Sequence, residues 1–254
     1  MDDLTKIQII PITIQDDIIY GDDITNIIIN SLKEKNESLQ ENDVVVITHK
    51  IISKAEGKIT DLTKIVPSEE SKKISSQTGK DPRLVELIFS QSKEIVRIER
   101  DIIITETKHG FVCANAGIDT SNVGKLSNHV VLLPDDPDKS ARKIRDDLNS
   151  RTKATVGVII SDTFGRPFRT GQVNIAIGIA GIDPIKSYIG KLDMYGNVLR
   201  ITEIAIADEI ASAAELVMCK SSRVPVTIVR GYDFTSYDSS ISKLIRLKKD
   251  DLFR

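Results

Sequence analysis

Short β-branched runs alternate with segments of helical periodicity along the chain. Buried strands are predicted over residues 7–13, 43–48, 155–163 and 226–229. Helices are predicted after Asp22 or Asp23, over residues 139–148 and 204–218, and around Ile241, Leu244 and Ile245. The pattern favours an α+β fold with mixed sheets and packed helices.

The middle of the chain is predicted to form a peripheral helical part near residues 67–92. Ser68 and Asp81 are typical helix caps, and Pro82 suits a first helical position. A β-meander is expected over residues 95–111. The run Asp135-Asp136-Pro137-Asp138 is interpreted as the capped start of the helix that leads into the third strand, rather than as a metal site. No linker divides the chain, so residues 1–254 are treated as one domain that allows two interleaved lobes.

One stretch places a carboxylate, two hydroxyls and two guanidinium groups at and just beyond a strand end. The apolar run that ends at Ile160 leads into Ser161-Asp162-Thr163, and a turn built on Gly165 and Pro167 then carries Arg166 and Arg169. Carboxylate and hydroxyl oxygens suit a hard cation such as Mg²⁺ or Mn²⁺, whereas guanidinium groups suit phosphate or carboxylate. The stretch predicts a phosphate-and-metal site.

Two further segments offer partners for Asp162. Lys50 and Lys54 follow the second strand at helical spacing, so they would share one face and could clamp a polyphosphate, although a solvated turn is the simpler interpretation of either one. Asp119 and Asn122 lie in a loop of small residues, where turn hydrogen bonds are their usual role. Asp162 provides the second carboxylate that makes a metal role for Asp119 plausible.

Composition narrows the function classes. The 35 basic and 37 acidic residues give a net charge of −2 with no long block of one sign, which argues against nucleic acid or an anionic membrane as a partner. No apolar run is long enough to span a bilayer, and no signal peptide is recognisable, so a cytoplasmic location is expected. Cys113 and Cys219 are expected to be small buried thiols. His49, His109 and His129 stand in three different contexts, which makes a zinc triad improbable.

Five motifs in one order resemble the F420 gamma-glutamyl ligase family, whose members add L-glutamate to the precursor of the deazaflavin coenzyme F420. They are Ile52-Ser-Lys-Ala-Glu-Gly57, Asn115-Ala-Gly-Ile-Asp119, Ser161-Asp-Thr-Phe-Gly-Arg166, Ala176-Ile-Gly178 and Ala207-Asp-Glu-Ile-Ala211. The resemblance runs from Ile9 to about Gly231. It implies a GTP-dependent amide ligase with a family-specific two-lobed fold, an intertwined homodimer, two Mg²⁺ or Mn²⁺ ions and K⁺, acting on F420-0 and L-glutamate.

The resemblance also implies site residues. Asp119 and Asp162 resemble ligands of one metal, and Thr163 resembles a ligand of a second. Positions that resemble nucleotide contacts are Gln15, Asp16, Asp17, Ile18, His49, Lys50, Lys54, Asn122, Met218, Cys219, Lys220, Ser221, Ser222, Arg223 and Val224. Arg166 and Arg169 are expected to orient phosphate or an incoming carboxylate.

The loop after Met218 departs from the family pattern. Members of the family have glycine where this chain has Cys219, and often an amide or acid near Lys220 that can join the second metal. A charged lysine cannot be a metal ligand. Two alternatives to the ligase therefore stay open, a metal-dependent nucleotide hydrolase and a nucleotide-binding protein without catalysis. No residue is singled out as a nucleophile or a general base.

Overall fold

The structure is a computed structural model that describes residues 6–121, 128–234 and 236–252. In chain order its strands are β1 (Gln8–Ile12), β2 (Val44–Thr48), β3 (Ile59–Asp61), β4 (Ser92–Glu99), β5 (Ile102–Thr107), β6 (Val112–Ala114), β7 (His129–Val131), β8 (Gly157–Arg166), β9 (Arg169–Ala180), β10 (Lys186–Ser187), β11 (Glu203–Ile204) and β12 (Val226–Arg230). Its α-helices are α1 (Ile24–Glu34), α2 (His49–Ala55), α3 (Glu69–Thr78), α4 (Pro82–Ser90), α5 (Pro137–Thr152) and α6 (Ile206–Met218).

A five-stranded mixed sheet organises the fold, with strand order β1-β12-β2-β8-β9. Only β2 and β8 pair in parallel; the other neighbours in this sheet are antiparallel. The central strands are buried on both faces because α5 and α6 pack against them, which explains their continuous β-branched runs. Smaller sheets pair β3 with β7, β10 with β11, and β4 with β5 and β6.

The core has two clusters of buried apolar side chains. The larger one surrounds the central sheet, and the smaller one lies under α4 and includes Val85, Ile88 and Ile103. The protein is thus a mixed α/β structure of several sheets and helices. Within the described residues, no helix combines the length and apolar character needed to cross a membrane.

Local signals predicted most helix starts. Asp23, Ser68, Asp81 and Asp136 each accept a hydrogen bond from a backbone N–H of the first turn that follows, as caps do. The β-meander is also confirmed, since β4, β5 and β6 pair in sequence.

Three local predictions are wrong. The third predicted strand continues through Gly165, because β8 and β9 form a long hairpin whose last pair is Arg166 with Arg169. The predicted C-terminal α-helix is replaced by short 3₁₀ turns over Ile241–Leu244 and Lys248–Asp250. Cys219 is exposed rather than buried, because it lies just past the end of α6, whereas Cys113 is buried as expected.

Candidate functional site

The parallel pairing of β2 with β8 brings two chain segments of the site together. In this pair Thr48 lies opposite Ser161, so the residues that follow, His49 and Asp162, emerge side by side. The chain then diverges: β2 passes directly into α2, whereas β8 continues into its hairpin with β9. The carboxyl ends of parallel strands are a common place for ligand sites.

Helix α2 contacts both predicted metal-binding carboxylates with adjacent residues. His49 Nε2 lies 3.3 Å from Asp162 Oδ1, and Lys50 Nζ lies 2.6 Å from Asp119 Oδ2. The His49 ring is 1% exposed. Although Nε2 is close to Asp162, its geometry is not that of a hydrogen bond, and this nitrogen is buried without a hydrogen-bond partner. The histidine therefore packs behind Asp162 rather than projecting into solvent.

Asp119 is fixed by its backbone and by its neighbours. Its N–H and C=O both hydrogen-bond to Val131 at 2.9 Å, which ties the loop to β7. The carboxylate accepts hydrogen bonds from the backbone N–H and the hydroxyl of Ser121. Burial would raise the pKa of the Asp119 carboxyl, but the contacts with Lys50 and Ser121 outweigh it and leave the pKa below its usual range. Asp119 is therefore an anion at neutral pH.

Both lysines predicted as a clamp lie on the same side of α2. Lys50 and Lys54 line the cavity, while Ile51 and Ile52 anchor the helix in the core. Burial lowers the pKa of the Lys54 ammonium, as does Lys50, whereas Asp17 opposes this shift. The helical arrangement is confirmed, and it places two cations beside two carboxylates.

These groups surround a cavity of about 730 Å³. Predicted site residues in its lining are Asp16, Asp17, Ile18, His49, Lys50, Lys54, Asp119, Asp162, Thr163, Met218, Cys219, Lys220, Ser221, Arg223 and Val224. Gln15 and Ser222 flank the lining residues, and Asn122 lies outside the described residues. The volume and the mixed charge suit a polar ligand of the size of a nucleotide.

The two predicted nucleotide loops touch each other across this cavity. Arg223 donates a hydrogen bond to the Gln15 carbonyl, and its guanidinium lies 4.0 Å from Asp17. The Ile14 N–H donates to the Arg223 carbonyl at 3.0 Å. Ser222 donates to the Met218 carbonyl at 2.7 Å, which shapes the turn after α6. The two loops form one wall although Gln15 and Arg223 are 208 positions apart in sequence.

Arg166 and Arg169 lie apart from the cavity lining. They are exposed at the tip of the β8–β9 hairpin, where Arg166 donates to the Thr170 carbonyl at 3.2 Å. The sequence suggested that they share one mouth with Asp162. The extension of β8 by three residues beyond Thr163 carries them away from it instead.

Sequence reasoning missed several residues of the cavity lining, and among them Asn174 and Glu215 are linked to the predicted Thr163. Thr163 donates from Oγ1 to Asn174 Oδ1 at 2.7 Å, and Asn174 Nδ2 donates to Glu215 Oε2 at 2.9 Å. Lys220 Nζ completes the group at 2.6 Å from Thr163 Oγ1. Asn174 is the polar exception in an apolar run, which is the sequence signal that could have found it, and in the structure it is 2% exposed.

The oxygen donors of the cavity fit a hard divalent cation. Asp119 and Asp162 contribute carboxylates, and the buried Nε2 of His49 without a hydrogen-bond partner lies directly behind the second one. No cluster of three His, Cys, Asp or Glu side chains that could hold a metal occurs in the described part of the chain. A cation at this site needs further oxygens from the bound small molecule. Mg²⁺ commonly binds in this way, between protein carboxylates and substrate phosphates.

The fold and the cavity define a mixed α/β protein with a cleft lined by both carboxylates and ammonium groups. The model of the family F420-0:Gamma-glutamyl ligase matches residues 14–231. The chain is 48% identical over 237 residues to the coenzyme F420:L-glutamate ligase of Methanothermobacter thermautotrophicus, covering 92% of this chain and 93% of that protein. It is 46% identical over 217 residues to the ligase of the same name from Methanocaldococcus jannaschii, covering 85% and 86%. The chain therefore belongs to the F420-0:gamma-glutamyl ligase family.

Proposed function

We propose that this protein is a GTP-dependent ligase that joins L-glutamate to coenzyme F420-0 through an amide bond, and then adds further γ-linked glutamates. The observation that carries the proposal is the contact of Asp162 and Asp119 with two adjacent residues of one helix, His49 and Lys50, inside a chain that belongs to a ligase family. The chemistry requires GTP to phosphorylate a carboxylate of F420-0. The amine of glutamate then displaces phosphate from the acyl phosphate, and GDP and phosphate leave.

The lysines of α2 hold the nucleotide phosphates in this proposal. Lys50 contacts Asp119 at 2.6 Å, so binding of a cation at that carboxylate would release the ammonium toward the phosphates. Lys54 lines the same side of the cavity. Both cations balance the negative charge that spreads over the transferred phosphoryl group.

Asp119 and Asp162 would hold Mg²⁺ or Mn²⁺, which supplies Lewis acidity toward the phosphate oxygens when bound. His49 positions Asp162 from behind, since its buried ring lies 3.3 Å from that carboxylate. Asp162 is also held by the backbone N–H of Thr163, which donates to Oδ1 at 2.7 Å. A carboxylate fixed in this way loses little freedom on binding a cation.

In this proposal the nucleobase of GTP and the F420-0 carboxylate that is phosphorylated lie at two ends of the cavity. The wall formed by residues 14–18 and 218–225 would hold the nucleoside, while the part of the cavity next to Asp119 would admit F420-0 and glutamate. Arg166 and Arg169, at the hairpin tip, would contact the anionic arm of F420-0 only if a bound substrate reaches beyond the cavity.

We further propose a homodimer in the cytoplasm. The segment between β10 and β11 exposes large apolar side chains, namely Ile189, Leu192, Met194, Tyr195, Val198 and Ile201. Such a concentration is typical of a protein–protein interface. Both cysteines are free thiols, as expected for a reducing compartment. Light scattering of the purified protein should give twice the protomer mass.

Measurement of phosphate release distinguishes a ligase from a nucleotide hydrolase. The protein is incubated with GTP and Mn²⁺, and F420-0 and L-glutamate are added singly and together. The ligase predicts that phosphate release requires F420-0, and that it becomes continuous only when glutamate is also present. Steady release with GTP and metal alone would favour a hydrolase. Binding without release under all conditions would favour a nucleotide-binding protein without catalysis.

A further inference from the structure

The Lys220 ammonium lies among oxygen atoms at the edge of the cavity. Its Nζ is 2.6 Å from Thr163 Oγ1 and 3.6 Å from Glu215 Oε1. These three residues come from β8, from the last turn of α6 and from the loop that follows it. A hydroxyl oxygen beside a carboxylate is also a pair of oxygen ligands that a hard cation prefers.

Asn174 fixes the orientation of both oxygen groups. Thr163 donates its hydroxyl proton to Asn174 Oδ1 at 2.7 Å, so its lone pairs are left for a cation on the other side. Asn174 Nδ2 holds Glu215 Oε2 at 2.9 Å, and its own backbone carbonyl accepts from Ser212 at 2.7 Å. Because Asn174 is 2% exposed, the arrangement is anchored in the interior.

We propose that the Lys220 ammonium, surrounded by oxygens of Thr163 and Glu215, occupies the place of a second divalent ion. The inference rests on the proposed function, in which phosphates of GTP enter this cavity. Lys220 and Thr163 both line the cavity, so the ammonium faces those phosphates. A divalent ion on Thr163 Oγ1 would compete with Lys220 for the same lone pairs and would be repelled by its charge. The protein thus binds one divalent ion for each nucleotide, at Asp119 and Asp162.

Manganese stoichiometry tests this proposal without turnover. The protein is saturated with a GTP analogue whose β–γ bridging oxygen is replaced by nitrogen, and bound Mn²⁺ is counted by the loss of the free-ion signal in electron paramagnetic resonance. Wild type should bind one Mn²⁺ for each bound nucleotide. Two Mn²⁺ would overturn the assignment of Lys220, whereas no nucleotide-dependent Mn²⁺ would overturn the proposed function as well.

Two substitutions at the same position sharpen the test. Lys220→Glu restores a carboxylate and should create a second Mn²⁺ site. Lys220→Met removes the charge without adding a ligand, so it should keep one Mn²⁺ and weaken nucleotide binding by about 10-fold. The Lys220 side chain is 64% exposed, which makes both variants compatible with folding. Lys73→Gln, at an exposed position of α3, is the matched control and should change neither quantity. Unchanged nucleotide affinity in Lys220→Met would contradict the proposal.

Discussion

Arg230 and Asp43 form a buried, forked ion pair whose loss should be among the most destabilising single changes in the protein. Arg230 Nε donates to Asp43 Oδ1 at 2.9 Å and Nη2 donates to Oδ2 at 2.8 Å. The Asp43 side chain is 0% exposed, and the Arg230 side chain is 15% exposed. The pair ties the end of β12 to the residue just before β2. In Arg230→Met the apolar stem is retained, but the carboxylate stays buried without its counter-ion.

Removal of one partner of a buried pair costs about 3–5 kcal/mol, because an uncompensated charge is left behind. For a chain of 254 residues, an unfolding entropy of about 2 cal/mol/K per residue converts this cost into a fall in Tm of roughly 6–10 °C. The Gln40 N–H, which also donates to Asp43 at 2.8 Å, offsets only part of the loss.

Urea unfolding and thermal melts of wild type and Arg230→Met measure the effect. Glu37→Gln is the control, since Glu37 lies 3.6 Å from the same guanidinium but is 37% exposed and should contribute less than about 1 kcal/mol. The double variant with Asp43→Asn should recover part of the loss, because no charge is then left buried. Nucleotide affinity of the folded variant should be unchanged, since Asp43 precedes β2 and His49 follows it at the other end. Equal losses in Arg230→Met and Glu37→Gln would refute the reasoning.

Three further changes probe the core, a buried acid and the site. Gly178→Ala should cost about 1–3 kcal/mol in urea unfolding, because the new Cβ would lie 2.5 Å from the Pro137 backbone carbon; Gly165→Ala, with nothing within 4 Å, is its control. Burial raises the pKa of Asp208, although the hydrogen bond from the Ala176 N–H lowers it. The protonated Asp208 side chain therefore contributes stability below the unfolded pKa, and this contribution is lost as pH rises through the folded pKa. Asp208→Asn should therefore gain stability relative to wild type as the pH rises from the unfolded pKa of about 4 through the folded pKa, and a difference that does not change with pH would contradict this. Asp162→Asn should lower turnover at least about 100-fold with an unchanged Tm, and retained activity would exclude a role in binding the metal.

Local sequence signals predicted the elements well where they are self-contained. The capping residues identified helix starts because their hydrogen bonds close within one turn. The buried strands were recognisable because both faces of the central sheet are covered, which makes β2 and β8 continuously apolar. The end of β8 was not predictable in this way, since it depends on pairing with β9 rather than on local propensity.

The candidate site was also predictable only in part, namely in its residue types but not in the contacts between distant segments. Residue types after predicted strands pointed to Lys50 and Asp162, Asp119 was identified in a loop of small residues, and the structure joins the three through α2. Pairwise contacts between distant segments were beyond sequence reasoning, as the bond from Asn174 to Glu215 shows. Asn174 is a polar exception in an apolar run, but neither residue carries a motif of its own. Their hydrogen bond depends on the packing of α6 against β9.

The proposed reaction is that this cavity joins glutamate to F420-0 and converts GTP to GDP and phosphate. Mass spectrometry of F420-0 after incubation with the protein, L-glutamate, GTP and Mn²⁺ tests it directly. Products heavier by one or more glutamyl residues are expected, formed together with GDP and absent when GTP or glutamate is omitted. GDP formation with F420-0 left unmodified in the complete mixture would contradict the proposed reaction.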